Sequence, residues 1–293
     1  MDSCEFGNLL TALRKQNLNE NGESWKREDL CEYIHLNPHQ LGRLERGDRK
    51  YLDTETLQLL AEAFNLTTLE RKEFFFAAVG VADDKLINPL DAEYEDTLND
   101  LISTIKKMHV PAFVLDDYAD IVAANQLMLK LYQVDSDYIS KAGETFAGFN
   151  LLKFIYSPGS GYAEVVGSSW SNMAKKNLHF FRRVTLRKRQ KAYFKKLLKE
   201  LCKDKLFDIH WHELSRGPSF SDSVYDTFQW NHPGHGPVNF IFTESLVPTK
   251  YGNLYLFTYV PGDIKTSTIF LNIAEKVGEK VQLLAPWPDK PLN

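Results

Sequence analysis

The first 80 residues combine short apolar stripes at helical spacing with residues that start and stop helices. Leu30, Tyr33 and Ile34 fall at i, i+3 and i+4 and are therefore expected to form an apolar stripe that faces a core. Asn37 and Pro38 begin the next helix, because Asn caps the free N–H groups of a first turn and Pro has its φ fixed at a helical value. Gly47 follows where a helix commonly ends. This pattern predicts two short helices joined by a tight turn.

Further helices are predicted on both sides of this pair. One begins near Phe6. A later helix starts at Asp53 or Thr54, and another starts at Thr67, where Glu70 completes a capping box. Five helices in about 80 residues predict a compact all-α unit.

The outer face of the second helix of the pair carries polar side chains that suit the major groove of DNA. Gln pairs with adenine and Arg pairs with guanine, each through two hydrogen bonds. Any amphipathic helix has a polar face, so an ordinary solvent-exposed surface remains the alternative. The candidate base-contacting residues are Asn37, His39, Gln40 and Arg43.

Residues 6–80 resemble the helix-turn-helix domain of the XRE (lambda-repressor/Cro-like) regulators. The resemblance is carried by the turn at residues 35–37 and by the run LGRLERG at residues 41–47. Two departures are visible: the connection at residues 16–25 is longer than usual, and His35 replaces the glycine expected in the turn. The resemblance implies sequence-specific binding to double-stranded DNA in transcription regulation. By position it implies phosphate contacts at Arg27, Arg46, Arg49 and, as a weaker candidate, Lys50.

The charge of this segment limits how it can bind DNA. Residues 1–80 contain 10 Lys and Arg against 14 Asp and Glu, so the segment is not a general polyanion binder. Helix-turn-helix proteins commonly dock as dimers on half-sites one DNA turn apart. We therefore expect a homodimer on an operator that is an inverted repeat.

After a linker predicted at residues 83–97, the pattern changes to short strands and helices. Two strands are predicted at residues 111–116 and 120–125, and Asn125 then starts a helix. Strand, turn, strand and helix is the order in which PAS sensor domains begin. Later β-rich runs, separated by turn residues, predict an antiparallel meander. They occupy residues 224–230, 238–247 and 253–260.

Roughly residues 98–262 resemble the MmyB-like ligand-binding domain, a PAS-like module found behind XRE helix-turn-helix domains. The motifs in order are Pro111-Ala112, the strand ending at Asn125, residues 150–152, Trp170 with Phe181-Arg182, Phe207 with Trp211, and His232-Pro233 before Gly236. One departure is Leu214, where a histidine is commonly expected; His212 lies nearby instead.

Together the two resemblances imply an α+β protein of two domains. The first is a five-helix, lambda-repressor-like helix-turn-helix domain at residues 1–82. The second is a PAS-like antiparallel sheet covered by helices at residues 98–263. A C-terminal helix and tail at residues 264–293 complete the chain, and the sequence assigns them no role.

The MmyB-like resemblance implies a sensor for an apolar, fatty-acid-like ligand. Aromatic residues make up 13% of the chain and are concentrated in this region. An aromatic stripe also occurs in ordinary cores, so that alternative stays open, although pockets are mostly apolar with a few polar anchors. Arg182 matches the family's arginine and could hold a carboxylate through its fork, the alternative being a solvated or DNA-facing arginine. The candidate pocket-lining residues are Phe113, Trp170, Phe181, Phe194 and Phe240.

Residues 174–205 form a basic run with 13 basic and 2 acidic residues, and they include an amphipathic helix around Phe194 and Leu197. A solvated helix face, a contact to flanking DNA phosphates and an anionic lipid surface are the three interpretations of this run.

A different class of function depends on four histidines, which could hold zinc or iron in a metal- or haem-dependent redox sensor or enzyme. They are His210, His212, His232 and His235. Against an enzyme, the sequence contains no GxSxG, HExxH, P-loop or GxGxxG motif, and we predict no required cofactor. The three cysteines are far apart and are predicted to be reduced. Without an apolar run of membrane-spanning length or an export leader, the sequence predicts a cytoplasmic protein.

Overall fold

The computed structural model describes residues 1–19, 21–48, 52–80, 92–214 and 227–292. Within these ranges the chain divides into two compact units. The first unit takes Met1–Pro89, Arg182–Leu198 and Ile209–Phe220, and the second takes Leu90–Phe181, Lys199–Asp208 and Ser221–Asn293. The sequence prediction ended the first domain at residue 82. The first compact unit also includes two segments that lie about 100 residues or more further along the chain.

The N-terminal part of the first unit consists of short helices, at the places that the sequence predicted. Leu30 and Ile34 of the predicted stripe are buried, whereas Tyr33 is exposed. Asp53 caps the fourth helix and Thr67 caps the fifth, where Glu70 completes the predicted capping box. The helices are α1 (Ser3–Gln16), α2 (Arg27–Ile34), α3 (Pro38–Glu45), α4 (Thr54–Ala63) and α5 (Thr68–Ala78).

The turn between α2 and α3 is made without glycine. His35 has a φ of 52°, in the left-handed region that His visits more readily than most residues. The departure from the XRE pattern at this position is therefore accommodated by the backbone of His35 itself.

Two glycines allow α1 and α3 to approach closely. A Cβ on Gly7 would collide with the carbonyl oxygens of Leu44 and Glu45. Gly47 has a φ of 77°, and a Cβ there would collide with the backbone of Ser3 and Cys4. Both positions require glycine, one for close packing of α1 on α3 and one also for its φ.

The helices that follow are distributed over both units. In the second unit they are α6 (Tyr94–Lys106), α7 (Gln126–Leu131), α8 (Ser136–Gly143), α9 (Leu151–Tyr156), α10 (Tyr162–Val166) and α14 (Ile264–Val277). Three more helices have residues in each unit: α11 (Trp170–Thr185), α12 (Ala192–Leu201) and α13 (Lys205–Glu213). Short 3-10 helices lie at Pro158–Ser160, Gly167–Ser169 and Leu186–Lys188. Helix α6 begins inside the predicted linker, of which residues 83–91 lie outside the described ranges.

The second unit is built on a six-stranded sheet with the order β3-β4-β5-β1-β2-β6, in which every neighbouring pair is antiparallel. The predicted meander is formed by the consecutive pairing of β3, β4 and β5. The strands are β1 (Ala112–Asp116), β2 (Ile121–Asn125), β3 (Thr227–His232), β4 (Gly236–Thr249), β5 (Gly252–Pro261) and β6 (Val281–Leu283).

Strand β1 is buried along its whole length, in agreement with its apolar residues 112–115, and it ends at the buried Asp116. Ala112 and Val114 belong to a core cluster with Leu101 and Ile105 of α6. Phe113 points to the opposite face, because successive side chains of a strand alternate, and it stacks on Phe257 with ring centroids 5.2 Å apart. One face of the sheet therefore packs on α6, and the other face presents aromatic rings.

The C-terminal tail, for which the sequence offered no role, is part of this sheet. Strand β6 pairs with β2. Trp287 makes edge contacts with Tyr94 and Tyr251, and Lys290 forms ion pairs with Asp116 and Asp120. The tail thus extends the sheet at the β2 edge and holds the turn between β1 and β2.

A buried ion cluster joins the separate segments of the first unit. Glu70 of α5 is fully buried and accepts hydrogen bonds from Arg182, at 3.0 Å, and from Arg189. Both arginines are also buried, and both guanidinium groups lie over the ring of Trp211. Burial alone would raise the pKa of Glu70, but the two guanidinium groups outweigh it and lower the pKa to about 2. Glu70 therefore stays ionised at neutral pH.

We expect Glu70→Gln to destabilise the first unit strongly. Glutamine keeps the size of the side chain and can still serve in the capping box, but it leaves two buried cations without a counter-charge, which costs about 3–5 kcal/mol. The measurement is the free energy of unfolding of the full chain in urea.

Glu73→Gln is the matched control on the same helix. Glu73 pairs with Arg187 at 2.9 Å, and both side chains are about a quarter exposed, so its loss should cost less than about 1 kcal/mol. Equal losses of unfolding free energy in the two variants would show that the buried cluster stabilises the protein no more than the partly exposed ion pair does.

Candidate functional site

Helix α3 presents the residues that the sequence assigned to base contacts. Asn37 caps the helix by accepting the N–H of Gln40 at 2.8 Å, and the Gln40 side-chain oxygen accepts the N–H of Asn37 at 3.1 Å. This capping box fixes the start of the helix. Asn37, His39, Gln40 and Arg43 are all exposed. The geometry leaves the Gln40 amide nitrogen outside the capping bond.

The predicted phosphate-contacting cations have varied surroundings. Arg27 is paired with Glu45 at 2.6 Å, and Arg46 is paired with Asp48 at 2.9 Å. Arg49 and Lys50 lie outside the described residues. Arg27 and Arg46 are therefore already held by carboxylates, and a phosphate would have to share or replace these partners.

Glu45 is a structural residue of α3 that sequence reasoning missed. Its carboxylate is buried and also bonds Arg14 of α1, at 2.7 Å. The sequence signal was a glutamate next to Leu44 at the end of an apolar stripe. Glu45 ties α1, α2 and α3 together through two arginines and so supports the orientation of the exposed face of α3.

A cavity of about 60 Å³ lies in the second unit, between the aromatic face of the sheet and several of the helices. Strands β1, β2, β4 and β5 contribute to its wall, as do α7, α8, α9, α10 and α11. Its lining residues are Phe113, Ile121, Ala124, Met128, Leu129, Tyr132, Val134, Tyr138, Ile139, Gly148, Phe149, Leu151, Phe154, Tyr162, Asn177, Phe242, Phe257, Tyr259 and Leu284.

The polar groups of this wall are uncharged. Among the described residues that line the cavity, none is an Asp, Glu, Lys, Arg or His. The hydroxyl groups of Tyr132 and Tyr259 are 2.8 Å apart, and the ring of Tyr162 stacks on that of Tyr132. Asn177 of α11 adds an amide, whose nitrogen donates to the carbonyl of Met173 at 2.8 Å.

Burial sets the acidity of these tyrosines. It raises the pKa of Tyr132, Tyr162 and Tyr259 well above the ordinary value. Burial also raises the pKa of Tyr138 to about 12. All four side chains are therefore neutral at physiological pH and act as hydrogen-bonding groups.

The structure brings only part of the predicted ligand site together. Phe113 lines the cavity. Phe240 stacks on Tyr259 with ring centroids 4.3 Å apart, so it supports a lining residue without being one. Trp170 donates its indole N–H to the carbonyl of Ile155. Neither Trp170 nor the buried Phe181 is among the residues that line the cavity.

Arg182 and Phe194 belong to the first unit and do not line the cavity. Besides Glu70, Arg182 donates to the carbonyl of Trp211 at 3.0 Å, and Phe194 contacts the ring of Trp211. A sequence pattern shows that an arginine follows buried aromatics, but it does not show which carboxylate the fold brings to it. The part of the basic run that contains Arg182, Arg187 and Arg189 thus pairs with acidic groups of α5.

Sequence reasoning missed the tyrosines of the cavity. The available signal was weak: Tyr132 ends an apolar helix, and Tyr259 alternates with Phe257 along a strand. Only the pairing of β1 with β5 places Phe113 opposite Phe257 and beside Tyr259.

The four histidines of the alternative function are not gathered into a metal site. His210 and His212 are two positions apart on helix α13, so they point to different sides of it. His232 contacts the carbonyl of Leu131 through Nε2 at 2.9 Å and accepts the N–H of Gly234 at Nδ1. Over the described part of the chain, no three His, Cys, Asp or Glu residues are arranged to hold a metal ion.

Among the helices of the described residues, none has both the length and the apolar character needed to cross a bilayer.

Comparison with known families identifies the segment that contains the cavity. Residues 98–270 match the family described as the MmyB-like transcription regulator ligand binding domain. A comparison with curated proteins gives no match. The family match covers more than half of the chain and includes every residue of the cavity wall except Leu284. The chain therefore belongs to the family of transcription regulators with an MmyB-like ligand-binding domain.

Proposed function

We propose that the protein is a ligand-responsive, sequence-specific DNA-binding transcription regulator. In this proposal an XRE-type helix-turn-helix reads the operator, and the cavity of the second unit binds an apolar small molecule. The observation that carries the proposal is an apolar cavity within the residues that match the ligand-binding family. The protein acts in the cytoplasm, has no enzymatic role and requires no cofactor.

The exposed face of α3 supports the DNA-reading role. Arg43 is exposed and makes no ion pair with any described residue, so its guanidinium is available for a guanine. Gln40 lies on the same face, with its amide nitrogen outside the capping bond. We assign Gln40 and Arg43 to base edges, with Asn37 and His39 beside them. Phosphate contacts fall to the basic residues Arg27, Arg46, Arg49 and Lys50.

We expect Arg43→Ala to weaken binding to the selected operator by about 1–3 kcal/mol and to relax base preference at one position. The reason is the loss of two hydrogen bonds to one base. The measurement is a titration of operator variants by fluorescence anisotropy at fixed salt concentration.

Arg46→Ala is the control for this experiment. Arg46 is an exposed arginine one helical turn further on, and its loss should weaken binding to all sequences alike, because phosphates carry no sequence information. Unchanged operator affinity and preference in Arg43→Ala would exclude the assignment of Arg43 to a base.

Two copies of the protein are expected on each operator. One recognition helix reads only a few base pairs, and the net negative charge of residues 1–80 opposes tight binding by a single copy. Footprinting should reveal an inverted repeat with half-sites about one helical turn apart, and light scattering should give two chains per duplex. Full-affinity binding of one chain to a single half-site would contradict this expectation.

The volume of the cavity limits the size of its ligand. Pockets that enclose a drug-sized molecule usually measure about 300–1,000 Å³, whereas this cavity measures about 60 Å³. As it stands the cavity accepts a narrow, short apolar group. A longer chain, such as the fatty acid that the family resemblance implies, requires movement of side chains that are only half-buried, such as Phe149, Tyr138 and Ile139.

We expect the melting temperature to rise with the chain length of an added aliphatic compound and then to fall once the cavity is full. Each buried CH₂ contributes about 0.8 kcal/mol, and a ligand that binds only the folded state stabilises it. Thermal shift across a homologous series from four to eighteen carbons is the measurement.

Val134→Phe fills part of the cavity and should abolish this response. Val260→Phe is the matched control, because Val260 is exposed and does not line the cavity. If the melting temperature of the unaltered protein does not change at any chain length, the aromatic residues are ordinary core residues and do not form a ligand site.

A further inference from the structure

The described residues that line the cavity are uncharged and mostly apolar, which suits an uncharged ligand. Their side chains are apolar except for four tyrosines and Asn177, and none of the described lining residues carries a charge. We propose that the cavity binds an uncharged amphiphile, with a hydroxyl or carbonyl head, and not the anion of a fatty acid. This inference rests on the proposed function, because it names the head group of the ligand of that same cavity.

The first argument is the cost of burying a charge. An ionised carboxylate loses hydration when it enters an apolar site, and the loss is recovered only beside a cation or a full set of N–H donors. The described wall offers no cation. Arg182, the cation expected from the sequence, is held by Glu70 in the first unit. A neutral head avoids this cost.

The second argument is the hydrogen-bonding capacity of the tyrosine pair. Each hydroxyl has one hydrogen and two acceptor positions, and its hydrogen can rotate. Tyr132 and Tyr259 use one hydrogen between them. With Tyr132 accepting from Tyr162 and donating to Tyr259, the O–H of Tyr259 remains for a carbonyl or hydroxyl head. Tyr138 and Asn177 provide further neutral polar groups at the wall.

The pKa values of the lining tyrosines show that a negative charge is unfavourable in the cavity. Their pKa values are raised because burial penalises the phenolate form and no nearby cation compensates. The same physical cause would raise the pKa of a bound carboxylic acid. Such an acid would enter in its protonated form, which is scarce at neutral pH.

The test compares compounds that share one chain and differ in the head group. The full-length protein is titrated with 1-octanol, 2-octanone and octanoic acid by calorimetry at pH 7.5 and pH 5.5. We expect the alcohol and the ketone to bind at least tenfold more tightly than the acid at pH 7.5. The affinity for the acid should rise about tenfold for each pH unit of decrease, since only its protonated form binds, while that for the alcohol stays constant.

Tyr259→Phe tests the contact itself, because it removes the hydroxyl and keeps the ring. It should lower the affinity for 1-octanol about three- to tenfold, as for one lost hydrogen bond, and leave the affinity for an octyl chain without a polar head unchanged. Tyr255→Phe is the matched control: Tyr255 is buried on the same strand and does not line the cavity.

The outcomes separate the two proposals. Octanoic acid that binds at pH 7.5 as tightly as 1-octanol, without pH dependence, overturns the inference about the head group and leaves the cavity as a ligand site. Failure of all three compounds, together with a flat chain-length series, overturns both. An equal loss of 1-octanol affinity in Tyr259→Phe and Tyr255→Phe would exclude the tyrosine pair as the contact.

Discussion

The first unit depends on the ion cluster formed by one buried carboxylate and two buried guanidinium groups. Glu70 lies in the helical segment near the N-terminus, whereas Arg182 and Arg189 come from more than 100 residues later in the chain. Each group alone would be costly to bury, and together they neutralise one another and bond to neighbouring polar atoms. The cluster explains why the first unit is discontinuous in sequence. A segment cut off after α5 would leave Glu70 without Arg182 and Arg189.

A second constraint is that the described residues that line the cavity of the other unit are uncharged. The rings of Phe113, Phe257 and Tyr259 form a packed aromatic layer on the sheet, and the hydroxyl pair of Tyr132 and Tyr259 is placed within it. Polar atoms in such a place are stable because they bond to one another. Like the amide of Asn177, they are polar groups without charge. The head group that we propose for the ligand is inferred from this arrangement and not from the amount of apolar surface.

The third constraint is that the β2 side of the sheet must be covered by another strand. Strand β1 is central and buried, with β5 on one side and β2 on the other. The outer side of β2 needs a further strand to bond its backbone N–H and C=O groups. The C-terminal tail supplies β6 at one edge, and Trp287 joins the core cluster under α6. Lys290 brings a cation to Asp116 and Asp120 in the β1–β2 turn. The tail therefore belongs to the architecture of the second unit, next to the strands that form the cavity wall.

Local patterns determined the helices, strands and caps of this protein, since Asn37, Asp53, Thr67 and Asn125 all cap the helices that follow them. Such features depend on residues a few positions apart, which the sequence displays directly. The exposed face of α3 could be predicted for the same reason. The partners of Arg182 and the composition of the cavity wall depend on contacts between residues more than 100 positions apart. The spacing of residues along the chain does not reveal those contacts. Only the tertiary structure shows that Arg182 pairs with Glu70 in the first unit and that tyrosines line the cavity.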